Sequence, residues 1–277
     1  MRVSGSRRQR THSRSLCLSC RINWPSCLSD GLHYVRHSHL EQSRMKYIIV
    51  GGTSGIGLAT AKMAIDAGHS VLAVGRDPNK FGGAQAIGAT TAQLDASDFE
   101  ATQRLFSSEG AFDHLVLSVS GSAGSGQFRE LELEDFRKGF EGKFWPQVIC
   151  AKTALPTLRN GGSITFVSAI SSRALMPGTA GLAAINAALE AMVPILASEL
   201  RPTRVNAVVP GVVDTPWWSR VPDAARKELF DQLASEVAVG RVGRPEDLAS
   251  AIMFLTSNTF ITGTILDCDG GWKLKNA

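Results

Sequence analysis

A doubly wound α/β fold on one parallel sheet, in a single domain, is predicted by three observations. Runs rich in β-branched residues alternate with stretches of helical periodicity from Tyr47 onward, the order that puts crossover helices on both faces of a parallel sheet. A glycine-rich turn follows the first of those runs and opens the first helix. The 277 residues, 44% of them apolar, suffice for one large core and sit near the upper size of one domain.

In chain order the expected strands are Tyr47–Val50, Ser70–Val74, Thr91–Leu94, His114–Leu117, Ser163–Val167, Arg204–Val209 and Thr264–Asp267. Between them, apolar residues at helical spacing predict helices over Leu58–Ala67, Leu133–Leu158, Leu182–Leu200 and Pro245–Leu255, with an amphipathic one from about Asp223 to Glu236. Pro146 and Pro194 fall inside two of these and predict kinks, because proline lacks the helical N–H. The longest hydrophobic runs are interrupted by Gly, Ser or charge, so no membrane-spanning helix and no membrane partner is expected.

The net charge of +4 is unevenly placed. Residues 1–44 hold eight arginines against Asp30 and Glu41, which leaves the rest of the chain at −2. A mildly acidic body without clustered Lys or Arg argues against a nucleic-acid partner. Residues 1–44, rich in Ser and Arg and without sustained periodicity, read as a disordered extension ahead of a domain at 45–277. Two origins fit this extension: a start set upstream of a true one at Met45, which implies a cytoplasmic protein, or a targeting segment, which implies a mitochondrial one. Its Cys17, Cys20, Cys27, His33, His37 and His39 are zinc-ligand types, but their spacing matches no closed site, and no metal is expected. The body holds only Cys150 and Cys268, too few for a disulfide framework.

The segment Ile48-Ile49-Val50-Gly51-Gly52-Thr53-Ser54-Gly55-Ile56-Gly57 runs from apolar strand through glycines into helix. Gly51 permits the tight turn, Gly55 lets backbone approach phosphate, Gly57 lets helix and strand pack closely, and the helix N-terminus offers free N–H groups to a pyrophosphate. Here the chain resembles the short-chain dehydrogenase/reductase family, whose fingerprint is Gly-x-x-x-Gly-x-Gly after the first strand of a Rossmann fold. Asp95, the stretch Asn206 to Thr215, and the segments Gly240–Asp247 and Thr262–Gly271 are similar to further family motifs in the family's order.

The resemblance implies a nicotinamide cofactor held by Gly51, Thr53, Ser54, Gly55, Ile56, Gly57, Arg76, Asp95, Ser118, Val213 and Thr215. At the end of the second strand, Gly75 stands where an NAD-preferring site has a carboxylate, and Arg76 follows with a fork suited to a 2′-phosphate. NADP(H) is the expected form, with Asp77 as the residue that could neutralise Arg76.

The catalytic positions depart from the family. The resemblance puts Leu182 at the place of its Tyr, Asn186 at its Lys, Ala169 at its Ser and Lys143 at its Asn; Leu117-Ser118-Val119-Ser120 replaces Asn-Asn-Ala-Gly. The chain's two tyrosines, Tyr34 and Tyr47, lie far from these positions in sequence. Lys and Asn have exchanged places, so the ammonium of Lys143 is the candidate catalytic group, either stabilising oxyanion charge or donating a proton. Ser118, Ser168, Ser171 and Ser172 are candidate substrate hydrogen-bond donors. After Thr215, Trp217 and Trp218 lead into a lid-like insert that suits a flat or apolar ligand.

The function expected is an NADP(H)-dependent oxidoreductase acting on a small apolar or aromatic carbonyl, imine or alcohol, as a homodimer or homotetramer. Two other classes stay open: a catalytically silent NADP(H) sensor, and a cyclase or isomerase on the same fold.

Overall fold

In the computed structural model, which describes residues 44–276, the chain forms one seven-stranded parallel sheet. In chain order the elements begin β1 Lys46–Val50, α1 Gly55–Asp66, β2 Ser70–Gly75, α2 Gly82–Ala86, β3 Thr90–Gln93, α3 Phe99–Glu109 and β4 Phe112–Leu117. They continue α4 Leu133–Gly139, α5 Trp145–Ala154, β5 Leu158–Val167, α6 Ala180–Glu199, β6 Arg204–Pro210, α7 Asp223–Glu236, α8 Pro245–Ser257 and β7 Ile265–Cys268. The cysteine- and histidine-bearing extension lies outside the described residues.

The strand order is β3-β2-β1-β4-β5-β6-β7. It reverses direction between β1 and β4, where Val50 pairs with Leu117 on one side and Val74 on the other. That reversal leaves a crevice beyond the carboxyl ends of the strands, the usual ligand site of an open α/β sheet. Strands covered on both faces are continuously apolar, as in the buried run Tyr47–Val50. On one face, Phe106 of α3, Cys150 of α5 and Leu189 and Val193 of α6 pack on Leu115, Ile164 and Phe166. On the other, Ala61 and Ala64 of α1 and Leu248 and Ile252 of α8 cover Ile49, Val116 and Val208. Arg204 ties β6 to the end of α8, its guanidinium donating to the Leu255 and Thr256 carbonyls at 2.6 and 2.7 Å. A cation there satisfies carbonyls the helix leaves without partners.

Two expectations need correcting. The helix predicted over Leu133–Leu158 is two helices joined by a π-helical turn at Phe140–Phe144, and Leu158 begins β5 instead. Pro146 supplies the reason: it has no N–H for the Gly142 carbonyl and its ring crowds that group, and the inserted residue relieves both. The Trp145 N–H accordingly reaches back five residues to the Phe140 carbonyl. Pro194, by contrast, does not break α6. In addition, α6 is long and apolar enough to span a membrane by length and composition, contrary to the sequence expectation. It serves as a core helix, with Ile185, Leu189 and Val193 buried alongside the polar Asn186 and Glu190.

Candidate active site

The glycine turn has the form its sequence requires. Gly51 has φ +84°, and a Cβ there would lie 2.6 Å from the Ser118 carbonyl oxygen, while one on Gly57 would meet the Gly51 carbonyl still more closely. Neither position tolerates a side chain. Ser54 precedes α1 without a side-chain capping bond, and the first turn of α1 carries no acidic residue. The N–H groups of Gly55, Ile56 and Gly57 are thus left facing the crevice with the positive end of the helix dipole, which fits a pyrophosphate. Thr53 covers Gly75, where an added Cβ would come within 2.7 Å of its hydroxyl. Thr215 comes up to Gly55 from the β6 side, a Cβ on Gly55 falling 3.4 Å from it.

Arg76 is exposed at the end of β2 and forms no ion pair among the described residues. Asp77 forms no ion pair with it among the described residues; its carboxylate accepts the Asn79 N–H at 3.0 Å and caps a short 3-10 turn. Asp95 accepts the hydroxyl and N–H of Ser97, and those bonds, aided by the charge of Arg76, hold it below the usual carboxylate range.

The four residues that the resemblance sets at catalytic positions lie on the π turn (Lys143), just after β5 (Ala169) and in the first turns of α6 (Leu182 and Asn186). Lys143, carried on the π turn, is 7% exposed and donates to the Ser168 carbonyl at 2.9 Å, next to Ala169 at the end of β5. Burial pushes its ammonium down to about 8, against the raising influence of Glu190. A solvated helix lysine would show neither property. Asn186, in the first turns of α6, is 2% exposed; its Nδ2 donates to the Ser171 hydroxyl at 3.0 Å and to the Leu182 carbonyl at 2.8 Å, and its Oδ1 is buried without a partner among the described residues.

A charge chain missed in the sequence lies behind them. Glu190 is buried and accepts the Ser168 and Ser172 hydroxyls, each at 2.8 Å, and the Arg173 guanidinium at 2.6 Å. Arg173 also pairs with Asp267, which binds Lys273 in turn. A lone carboxylate within the apolar stretch from Ala180 to Leu196 was the available signal, since a buried Glu must be paired.

Beside Ser171 an open pocket of about 340 Å³ is walled by Phe128, Leu175, Met176 and Pro177, with Ser171, Ser172 and Thr179 as its hydroxyls. The two tryptophans play different parts. Trp218 packs edge-on to Phe230 of α7 and donates to the Val213 carbonyl at 3.0 Å, whereas half-exposed Trp217 reaches across to the Gly121 carbonyl at 3.3 Å. Only Trp217 is therefore available to a ligand.

A family model described as enoyl-(acyl carrier protein) reductase matches residues 50–273. The chain belongs to the short-chain dehydrogenase/reductase family. It is 31% identical to a short-chain dehydrogenase/reductase, ATR9, of Stachybotrys chlorohalonatus over 247 residues, 82% of this chain and 96% of that protein. A solved small-chain dehydrogenase in complex with NADPH is 35% identical, with a TM-score of 0.74 over 83% of this chain and 99% of that one. A short-chain oxidoreductase of Pseudomonas aeruginosa PAO1, described as containing an atypical catalytic center, is 27% identical, with a TM-score of 0.75 over 82% and 96% of the two chains. Family membership makes the protein an oxidoreductase.

Proposed function

We propose that the chain is an NADP(H)-dependent oxidoreductase that uses Lys143 where its family uses Tyr and Lys, acting on a small apolar carbonyl, imine or alcohol. The observation that carries this reading is the buried ammonium of Lys143, held against the Ser168 carbonyl next to Ala169. When bound, the nicotinamide supplies or accepts the hydride. The protein's task is then to orient the substrate and stabilise charge on its oxygen or nitrogen, and a desolvated cation does this far better than a solvated one. A solved relative described as containing an atypical catalytic center supports this reading.

Preference for NADP(H) rests on Arg76, exposed, free of ion pairs among the described residues and beside the side-chain-less Gly75. The solved relative with NADPH supports it. A fluorescence titration tests it: Arg76→Ala is expected to weaken NADPH binding by about 10- to 100-fold, the worth of a charge-assisted bidentate contact, and to leave NADH binding nearly unchanged. Equal effects on both nucleotides would remove the preference. Exposed Trp145 on α5 and Ile195 on α6 support the expected homo-oligomer, which light scattering would detect.

A further inference from the structure

Three hydroxyl groups line the 340 Å³ cavity, and two of them have their protons committed. Ser172 donates to Glu190 at 2.8 Å and to the Ala169 carbonyl at 3.1 Å, and Thr179 donates to the Met176 carbonyl at 2.7 Å. Ser171 differs. Its oxygen accepts the Nδ2 of Asn186 at 3.0 Å, and its own proton has no acceptor among the described residues. The direction of that bond is fixed by a second contact: Nδ2 also faces the Leu182 carbonyl at 2.8 Å, so turning the amide over would set two oxygens against each other. The same orientation leaves Oδ1 of Asn186 in the interior with no partner among the described residues. The Ser171 proton is thereby left for a group bound in the cavity that Ser171 lines.

We infer that Ser171 is the hydrogen-bond donor to the substrate, oriented by Asn186 as a positioning residue, and that the site takes a neutral apolar ketone or aldehyde. This rests on the reductase reading above. A group that donates needs an acceptor, which a carbonyl oxygen is and a protonated imine nitrogen is not. The wall agrees, since Phe128, Leu175 and Met176 offer apolar surface and no carboxylate lines the cavity. In the reaction, the carbonyl carbon gains the hydride, the C=O π pair becomes a lone pair on oxygen, and that oxygen takes the Ser171 proton. Ser171 is reprotonated by one H⁺ drawn from solvent, so that carbonyl, NADPH and H⁺ give the secondary or primary alcohol and NADP⁺.

The test uses the full chain with two probes, 9,10-phenanthrenequinone as a flat neutral diketone and 2-methyl-1-pyrroline as an imine that is protonated near neutral pH. With NADPH, quinone reduction is expected to exceed pyrroline reduction. Ser171→Ala is expected to lower kcat/KM for the quinone about 100-fold, as for loss of one oxyanion donor. Ser171→Thr, which keeps the hydroxyl, should recover most of it. Asn186→Leu should lower kcat by about tenfold while Tm stays level or rises, because the orphaned oxygen is gone; a purely structural Asn would lose Tm and activity together. Calorimetric titration of the quinone into nucleotide-free protein gives a readout independent of turnover, with affinity expected to fall several-fold in Ser171→Ala. Equal quinone affinity, or wild-type turnover, in Ser171→Ala would overturn the inference. Faster reduction of the pyrroline would overturn the substrate class. Absence of NADPH oxidation by the wild type with either probe would instead overturn the reductase reading, and the calorimetric comparison would still judge Ser171.

Discussion

Replacing Lys143 by Met is expected to lower kcat by about two to three orders of magnitude, the range seen when a preorganised charge or donor is removed from a transition state. NADPH affinity should change little, because Lys143 lies on the β5 side of the crevice while the phosphate turn and Arg76 lie on the β1 and β2 side. Methionine keeps the unbranched length of the side chain and removes only the ammonium. Stopped-flow NADPH oxidation with the quinone measures the effect, and an unchanged turnover rate would show Lys143 to be structural.

The pH dependence gives a second, independent handle on the same group. With its ammonium at about 8, Lys143 is charged below that pH and neutral above it. Reduction is therefore expected to fall as pH rises through about 8, and Lys143→Met should lose that limb. Stability should move the other way. An unfolded lysine titrates near 10.5, so between 8 and 10.5 the unfolded chain holds a proton that the folded one has released, and this group makes folding more favourable as pH rises through that window. Glu190 is the counter-charge that keeps the ammonium from falling further. Activity and stability changing in opposite directions over one pH interval is the signature of a buried charge retained for function.

Strand and helix types were legible in the sequence wherever one period dominated. The apolar run at β1 and the spacing of α7, whose observed bounds match the expected ones, left little room for another assignment. The glycine turn was legible from its spacing after an apolar strand: Gly57 meets the Gly51 carbonyl within the turn, whereas the demand on Gly51 comes from the distant Ser118 carbonyl after β4. The catalytic side was harder. The burial of Lys143 depends on a π turn that Pro146 imposes, and periodicity alone ran straight through it. The Glu190–Arg173–Asp267 chain joins residues up to 94 apart, and the direction of the Asn186–Ser171 bond depends on a carbonyl in the preceding helical turn. Such arrangements follow from packing between elements, which no local pattern encodes.

A buried histidine should govern the acid side of stability. His114 on β4 is 7% exposed, its Nδ1 lies 2.8 Å from the Ser163 hydroxyl, and its ring packs 4.6 Å from that of Tyr47. Burial, with Arg204 nearby, pushes its pKa down to about 4, against the pull of Asp113. The unfolded chain takes up its proton near 6.5 and the folded chain only near 4, so stability is complete above 6.5 and drains away as pH falls to 4. At about 1.4 kcal/mol per pH unit the loss comes to about 3 kcal/mol, a large share of a typical domain's 5–15 kcal/mol. His69, stacked on the other side of Tyr47, is lowered by its burial and acts in the same direction. His114 sits on the strand portion before Leu117, away from the crevice at the carboxyl ends, so its titration should not follow that of the catalytic rate. Urea unfolding at pH 7 and pH 5 measures the effect. His114→Gln, which keeps a hydrogen-bonding amide but cannot titrate, should narrow the difference between the two pH values even if it lowers stability at both. Parallel losses in the variant and the wild type would place the acid-sensitive group elsewhere.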